Sequence, residues 1–174
     1  MIAYLSGKIL IKLTNSAVID VNGVGYEVQI PLSTYYDLGE VGSTVSLQIY
    51  TQVREDAIQL FGFRTALEKE LFLKLLSVTG VGPKLGLTML SGLSAEELIQ
   101  AILAGNLVQL TAIPGVGRKT AERLLLELKD KLTQKVIKSK SITAIDEKIR
   151  LNKQLYKTMQ NLISLKSQFY QMAA

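Results

Sequence analysis

Two short segments carry the residues best suited to holding an anion. Gly80-Val81-Gly82-Pro83-Lys84 recurs as Gly115-Val116-Gly117-Arg118-Lys119, at a constant offset of 35 positions. Apolar residues at helical spacing precede each copy, and helix-forming sequence follows it. A helix, a glycine turn and a second helix leave unpaired backbone N–H groups where the second helix starts. The macrodipole adds positive potential there, so a phosphate can sit on that turn. Gly80, Gly82, Gly115 and Gly117 serve this in two ways: the turn needs backbone angles that a Cβ forbids, and a phosphate oxygen must come close to the main chain. Lys84 and Lys119, each two residues past the second glycine, add a mobile cation. None of these groups touches a base, so such contacts read no sequence. The bland alternative is a helix stop and restart. A structural turn has no need of the repeated lysine, which favours phosphate binding.

Glu55 and Asp56 form a second constellation. With Arg54 they separate two β-rich runs, 45–53 and 57–61, and read as the charged tip of a hairpin. Acidic residues are common in turns. Beside a phosphate-binding half, however, two carboxylates on a stiff hairpin would repel a DNA backbone and restrict where strands lie. Paired carboxylates can also hold Mg²⁺ in a nuclease, but neighbours on a strand point to opposite faces and no third carboxylate is evident beside them. No metal and no cofactor is assigned.

With Cys 0 and His 0, the chain lacks thiol nucleophiles, disulfides, Cys/His zinc sites and any triad with an imidazole base. The Walker pattern is absent, and Gly23-Val24-Gly25 lacks the third glycine of the dinucleotide fingerprint, so no ATPase site is expected. The sequence reads as a cytoplasmic protein without a membrane span or signal peptide.

The elements that must position these groups differ along the 174 residues. Residues 1–62 carry 3 basic and 6 acidic side chains, 63–135 carry 10 and 7, and 136–174 carry 7 and 2. A polyanion would therefore be met from the middle onward. In the first part, β-rich runs flank Asn22-Gly23, a dipeptide suited to a type I′ turn, and about five strands in some 60 residues fit a small closed barrel of the OB type. From Thr65 the pattern turns helical. Thr65-Ala66-Leu67-Glu68 and Ser94-Ala95-Glu96-Glu97 are capping boxes, Gly80 and Gly105 are stops, and Pro83 suits a first helical position. The expected architecture is α+β and multidomain: an OB-fold barrel over 1–62, a tandem helix-hairpin-helix domain over 63–135, a solvated linker over 136–141 and a helical segment over 142–174.

Four motifs, in order, then resemble one family. Residues 21–28 (VNGVGYEV), Arg54-Glu55-Asp56-Ala57 with Leu60-Phe61-Gly62-Phe63, Gly80-Val81-Gly82-Pro83-Lys84, and residues 114–124 (PGVGRKTAERL) closely resemble RuvA, the bacterial subunit that binds Holliday junctions. The likeness runs from Met1 to about Leu132. It implies a homotetramer on four-way junction DNA, with one or two tetramers left open, partnered by the RuvB ATPase motor and the RuvC resolvase in recombination and repair. Position by position it implies phosphate contacts from Gly80, Gly82, Lys84, Gly115, Gly117, Arg118, Lys119 and Arg123. Glu55 and Asp56 match an acidic pin that holds separated strands apart. The last part departs from the pattern: no glycine follows Gly117, so the family's Leu-Gly-Tyr-like segment is missing, and RuvB contact through 142–174 is inferred from the rest of the chain. Gly86 stands where the family commonly has Ala, a small cost in helix propensity.

Two other classes compete with a non-catalytic DNA-binding subunit. A helix-hairpin-helix nuclease, lyase or glycosylase would cut junction DNA with Mg²⁺, and a protein-binding adaptor would not prefer four-way over linear DNA.

Overall fold

The computed structural model describes residues 1–132. The proposed linker and the 142–174 segment lie outside the described residues. Five strands, β1 (Tyr4–Lys12), β2 (Ser16–Val21), β3 (Val24–Gln29), β4 (Thr44–Val53) and β5 (Ile58–Phe63), close into a barrel in the order β1-β2-β3-β5-β4. All neighbours are antiparallel except β3 and β5, which pair in parallel at Val28↔Leu60 and Gln29↔Phe61. Alternation sends Leu5, Ile9, Ile19, Val28, Leu47, Ile49 and Leu60 inward to a common core. A register break on β1 between Ile9 and Ile11 supplies curvature for closure. Gly62 permits the parallel contact, because a Cβ there would stand 2.5 Å from Val28 Cγ1. The barrel reading holds, and so does the type I′ turn: Asn22 and Gly23 have φ of 54° and 88°.

Between β3 and β4 lies a helix that sequence reasoning did not place, α1 (Leu32–Asp37). Pro31 gives it no side-chain cap. Its first free N–H, from Leu32, instead donates to Ser91 Oγ at 2.9 Å.

The helical part comprises α2 (Ala66–Leu76), α3 (Pro83–Gly92), α4 (Ala95–Ala104), α5 (Leu107–Thr111) and α6 (118–132). Both expected capping boxes form, at Thr65–Glu68 and Ser94–Glu97. Hydrogen bonds from the Ser94 backbone and side chain lower the Glu97 pKa below the usual carboxylate value. Gly105, at φ 72°, ends α4. α2 stops at Leu76, ahead of the Gly80 stop, and Val78 is buried within the turn instead of continuing the helix.

Residues Met1–Lys131 form one compact unit. Phe72 of α2 joins its two halves, packing on Tyr50, Phe61 and Phe63 of the barrel with ring centroids 5.6, 5.6 and 4.7 Å away. Gly86 is buried against the same ring, and a Cβ there would lie 3.0 Å from Phe72 Cε2. The glycine makes room for the aromatic side chain.

Candidate nucleic-acid interface

The two glycine turns share one wiring plan. Val81 N–H donates to the Val78 carbonyl, and Val116 N–H to that of Ile113, both at 3.0 Å. Each new helix closes its first turn onto the second glycine, through Gly86 N–H to Gly82 at 2.9 Å and Ala121 N–H to Gly117 at 3.0 Å. Val78, Val81, Ile113 and Val116 point inward, each at most 6% exposed. Burying these apolar side chains turns the glycines outward, and all four glycines are exposed.

The glycines divide by function. Gly80 and Gly115 have φ of +93° and +82°, so the turn itself requires them. Gly82 has an ordinary backbone, φ −90° and ψ 173°, and nothing lies within 4 Å of where a Cβ would stand on Gly82 or Gly117. The fold has no need of glycine at these two positions. Open space over backbone N–H groups at a helix start is what a close-approaching phosphate oxygen requires.

Lys84, Arg118, Lys119 and Arg123 are all exposed. Among the described residues, Lys84 and Lys119 enter no ion pair, while Arg118 Nε holds Glu122 Oε1 at 2.9 Å on the surface of α6. Arg123 reaches across to the first turn, its Nη1 donating to the Thr79 carbonyl at 3.2 Å. In the other direction, Leu85 of α3 is the nearest side chain to Gly115, with its Cδ1 3.2 Å from where a Cβ would stand. The two cradles are thus packed together by residues that each hairpin sends to the other's turn.

The first hairpin is also tied to the barrel. The Glu68 carboxylate, in a residue only 7% exposed, accepts from Ser33 Oγ at 2.7 Å, Arg64 N–H at 3.0 Å and Thr65 N–H at 3.1 Å. With Ser91 on Leu32, α1 is therefore gripped by both helices of the first hairpin. Sequence reasoning found Glu68 as a cap but not its hold on α1. It also missed Ser91, for which no local pattern exists.

Glu55 and Asp56 occupy the two central positions of the β4–β5 turn, which the Arg54 N–H closes on the Ala57 carbonyl at 2.9 Å. Both are exposed. At the base of the tip Val53 pairs with Ile58, the two 69% and 68% exposed. Among the described residues no three His, Cys, Asp or Glu side chains gather as a metal site would need. Arg54 and Lys84 line one cleft of about 390 Å³, so the foot of the acidic tip and the first cradle adjoin. Among the described residues no single helix is long and apolar enough to cross a membrane.

Comparison with known proteins agrees with this geometry. The RuvA N-terminal domain family matches residues 1–62, and the SAM-like helix-hairpin-helix tandem family matches residues 72–130. The chain is similar to proteins named Holliday junction branch migration complex subunit RuvA. That of Geobacter metallireducens is 61% identical and that of Geobacter sulfurreducens 60%, each over 132 residues, 76% of this chain and 66% of the relative. That of Syntrophobacter fumaroxidans is 54% identical over 135 residues, 78% of this chain and 68% of the relative. The matched stretch spans just under two thirds of the two Geobacter proteins.

Proposed function

The chain belongs to the RuvA family, and from that premise we propose that it is a non-catalytic subunit binding four-way DNA junctions independently of sequence. The observation that carries the reading is the duplicated cradle. Two exposed turns with the same backbone hydrogen bonds each present N–H groups at a helix start, an open second glycine and a lysine that enters no ion pair among the described residues. Gly80, Gly82, Lys84, Gly115, Gly117, Arg118, Lys119 and Arg123 contact sugar-phosphate backbones, and a duplex arm lies across both turns. Glu55 and Asp56 stand at the crossover, where their charge keeps the separated strands apart.

A single chain meets one arm, so four copies are needed to hold a junction open and planar, and one or two such tetramers enclose it. An ATP-driven motor of the RuvB kind moves the strands, contacting residues 142–174 beyond a linker at 136–141, and a RuvC-type resolvase acts on the same DNA. The barrel (1–62) and hairpin domain (63–135) are the junction-binding part. The setting is the cytoplasm, in recombination and repair. Competition between a labelled four-way junction and linear duplexes of two unrelated sequences tests this. The junction should win by at least about tenfold, or about 1.4 kcal/mol, whatever its sequence. Equal binding of linear DNA, or cutting of a junction strand with Mg²⁺, would refute it.

A further inference from the structure

The outer face of the β4–β5 ribbon changes character along its length. At its base Tyr50 and Phe61 pair beneath Phe72 and are covered by helix. The next pair on that face is Gln52 and Gln59, directly opposite one another, with Arg54 beyond. Here the ribbon and the helical part diverge, leaving the cleft of about 390 Å³, with Gly82 and Lys84 on its other wall and Gln29 of β3 beside them.

Three observations mark this as a binding site. Arg54 and Lys84 come from separate elements, and neither enters an ion pair among the described residues. Two cations lining one cleft favour an anion between them. Gln29, Gln52 and Gln59 line the same cleft and bring three carboxamides to it. The volume falls within the range of roughly 300–1,000 Å³ typical of small-ligand sites. Carboxamides both donate and accept, so Gln29, Gln52 and Gln59 can meet the edge of any base.

We infer that the cleft holds one nucleotide of an unpaired DNA strand beside the crossover, its phosphate between Arg54 and Lys84 and its base on the glutamine amides. This rests on the junction-binding reading above. The ribbon then sorts the backbone by charge: Glu55 and Asp56 repel phosphates at the tip, and Arg54, one residue back, accepts them at the foot.

The test measures binding of the full chain to a junction with unpaired crossover nucleotides, one of them 2-aminopurine, and to a linear duplex. Gln52→Ala with Gln59→Ala should weaken the open junction by about five- to tenfold, leave the duplex unchanged and abolish the 2-aminopurine emission change. Gln52→Glu with Gln59→Glu, closer in shape but repelling phosphate, should weaken the open junction further. Open-junction affinity within about twofold of wild type in both variants, or equal losses on both DNAs, would overturn the inference. If the wild-type chain does not prefer the junction, the junction reading itself fails. If it does and the variants match it, only the cleft assignment falls.

Discussion

Arg123 Nη1 and the carbonyl oxygen of Thr79 lie 3.2 Å apart, joining α6 to the first glycine turn across 44 positions of chain. The contact holds the two cradles at one spacing, which a duplex with regularly spaced phosphates rewards. Arg123→Ala should weaken junction binding and cost about 1 kcal/mol or less of stability, because the bond is exposed. Arg123→Lys should recover only part of the affinity, since an ammonium lacks the fork that reaches both carbonyl and phosphate. Titration of both variants against one junction checks this, and full recovery by Lys would reduce Arg123 to a point charge.

Lys84→Ala with Lys119→Ala should weaken binding alike on all junction sequences. For every phosphate left without its lysine, the plot of log affinity against log salt should flatten by about 0.9. The measurement is a salt series on two unrelated junctions. A slope equal to wild type would remove both lysines from the interface.

Glu55→Gln with Asp56→Asn should keep or tighten junction binding, because the change removes repulsion and no attraction. What should change is strand separation at the crossover, read from fluorescent base analogues there. A clear loss of affinity would mean that the carboxylates attract something, contrary to their assigned role.

Glu68→Ala should lower unfolding stability by about 2 kcal/mol, since partly buried donors from Ser33 and Thr65 would lose this acceptor and the Arg64 N–H would keep only Thr34 Oγ1. Chemical denaturation reads the change. A loss below about 1 kcal/mol would show that the carboxylate is only a helix cap.

The features legible in the sequence are those made by neighbours a few positions apart. Asn22-Gly23 forces its turn through backbone angles, the two capping boxes bond from i to i+3, and each Gly-Val-Gly is a complete local device that repeats. The barrel followed from strand count and turn spacing. The interactions that lock α1 were hidden because their partners are distant in sequence: Ser33 lies 35 positions before Glu68, and Ser91 lies 59 after Leu32. Gly86 shows how a local rule misleads. Helix propensity alone makes it a cost, whereas an Ala methyl there would press on the Phe72 ring, which would have to give way slightly. Gln52 and Gln59 carry no motif, and only the ribbon's register sets them opposite each other above the first cradle.

In the proposed reading, junction binding turns on main chain meeting phosphate, and Gly82 and Gly117 isolate that contact because the fold itself does not need glycine there. The decisive measurement is junction affinity, alongside the thermal midpoint, for Gly82→Ala with Gly117→Ala. Unchanged stability with an affinity loss of about tenfold or more is predicted, as two methyl groups hold phosphates off their N–H donors. Wild-type affinity in that folded variant would contradict the cradle assignment outright.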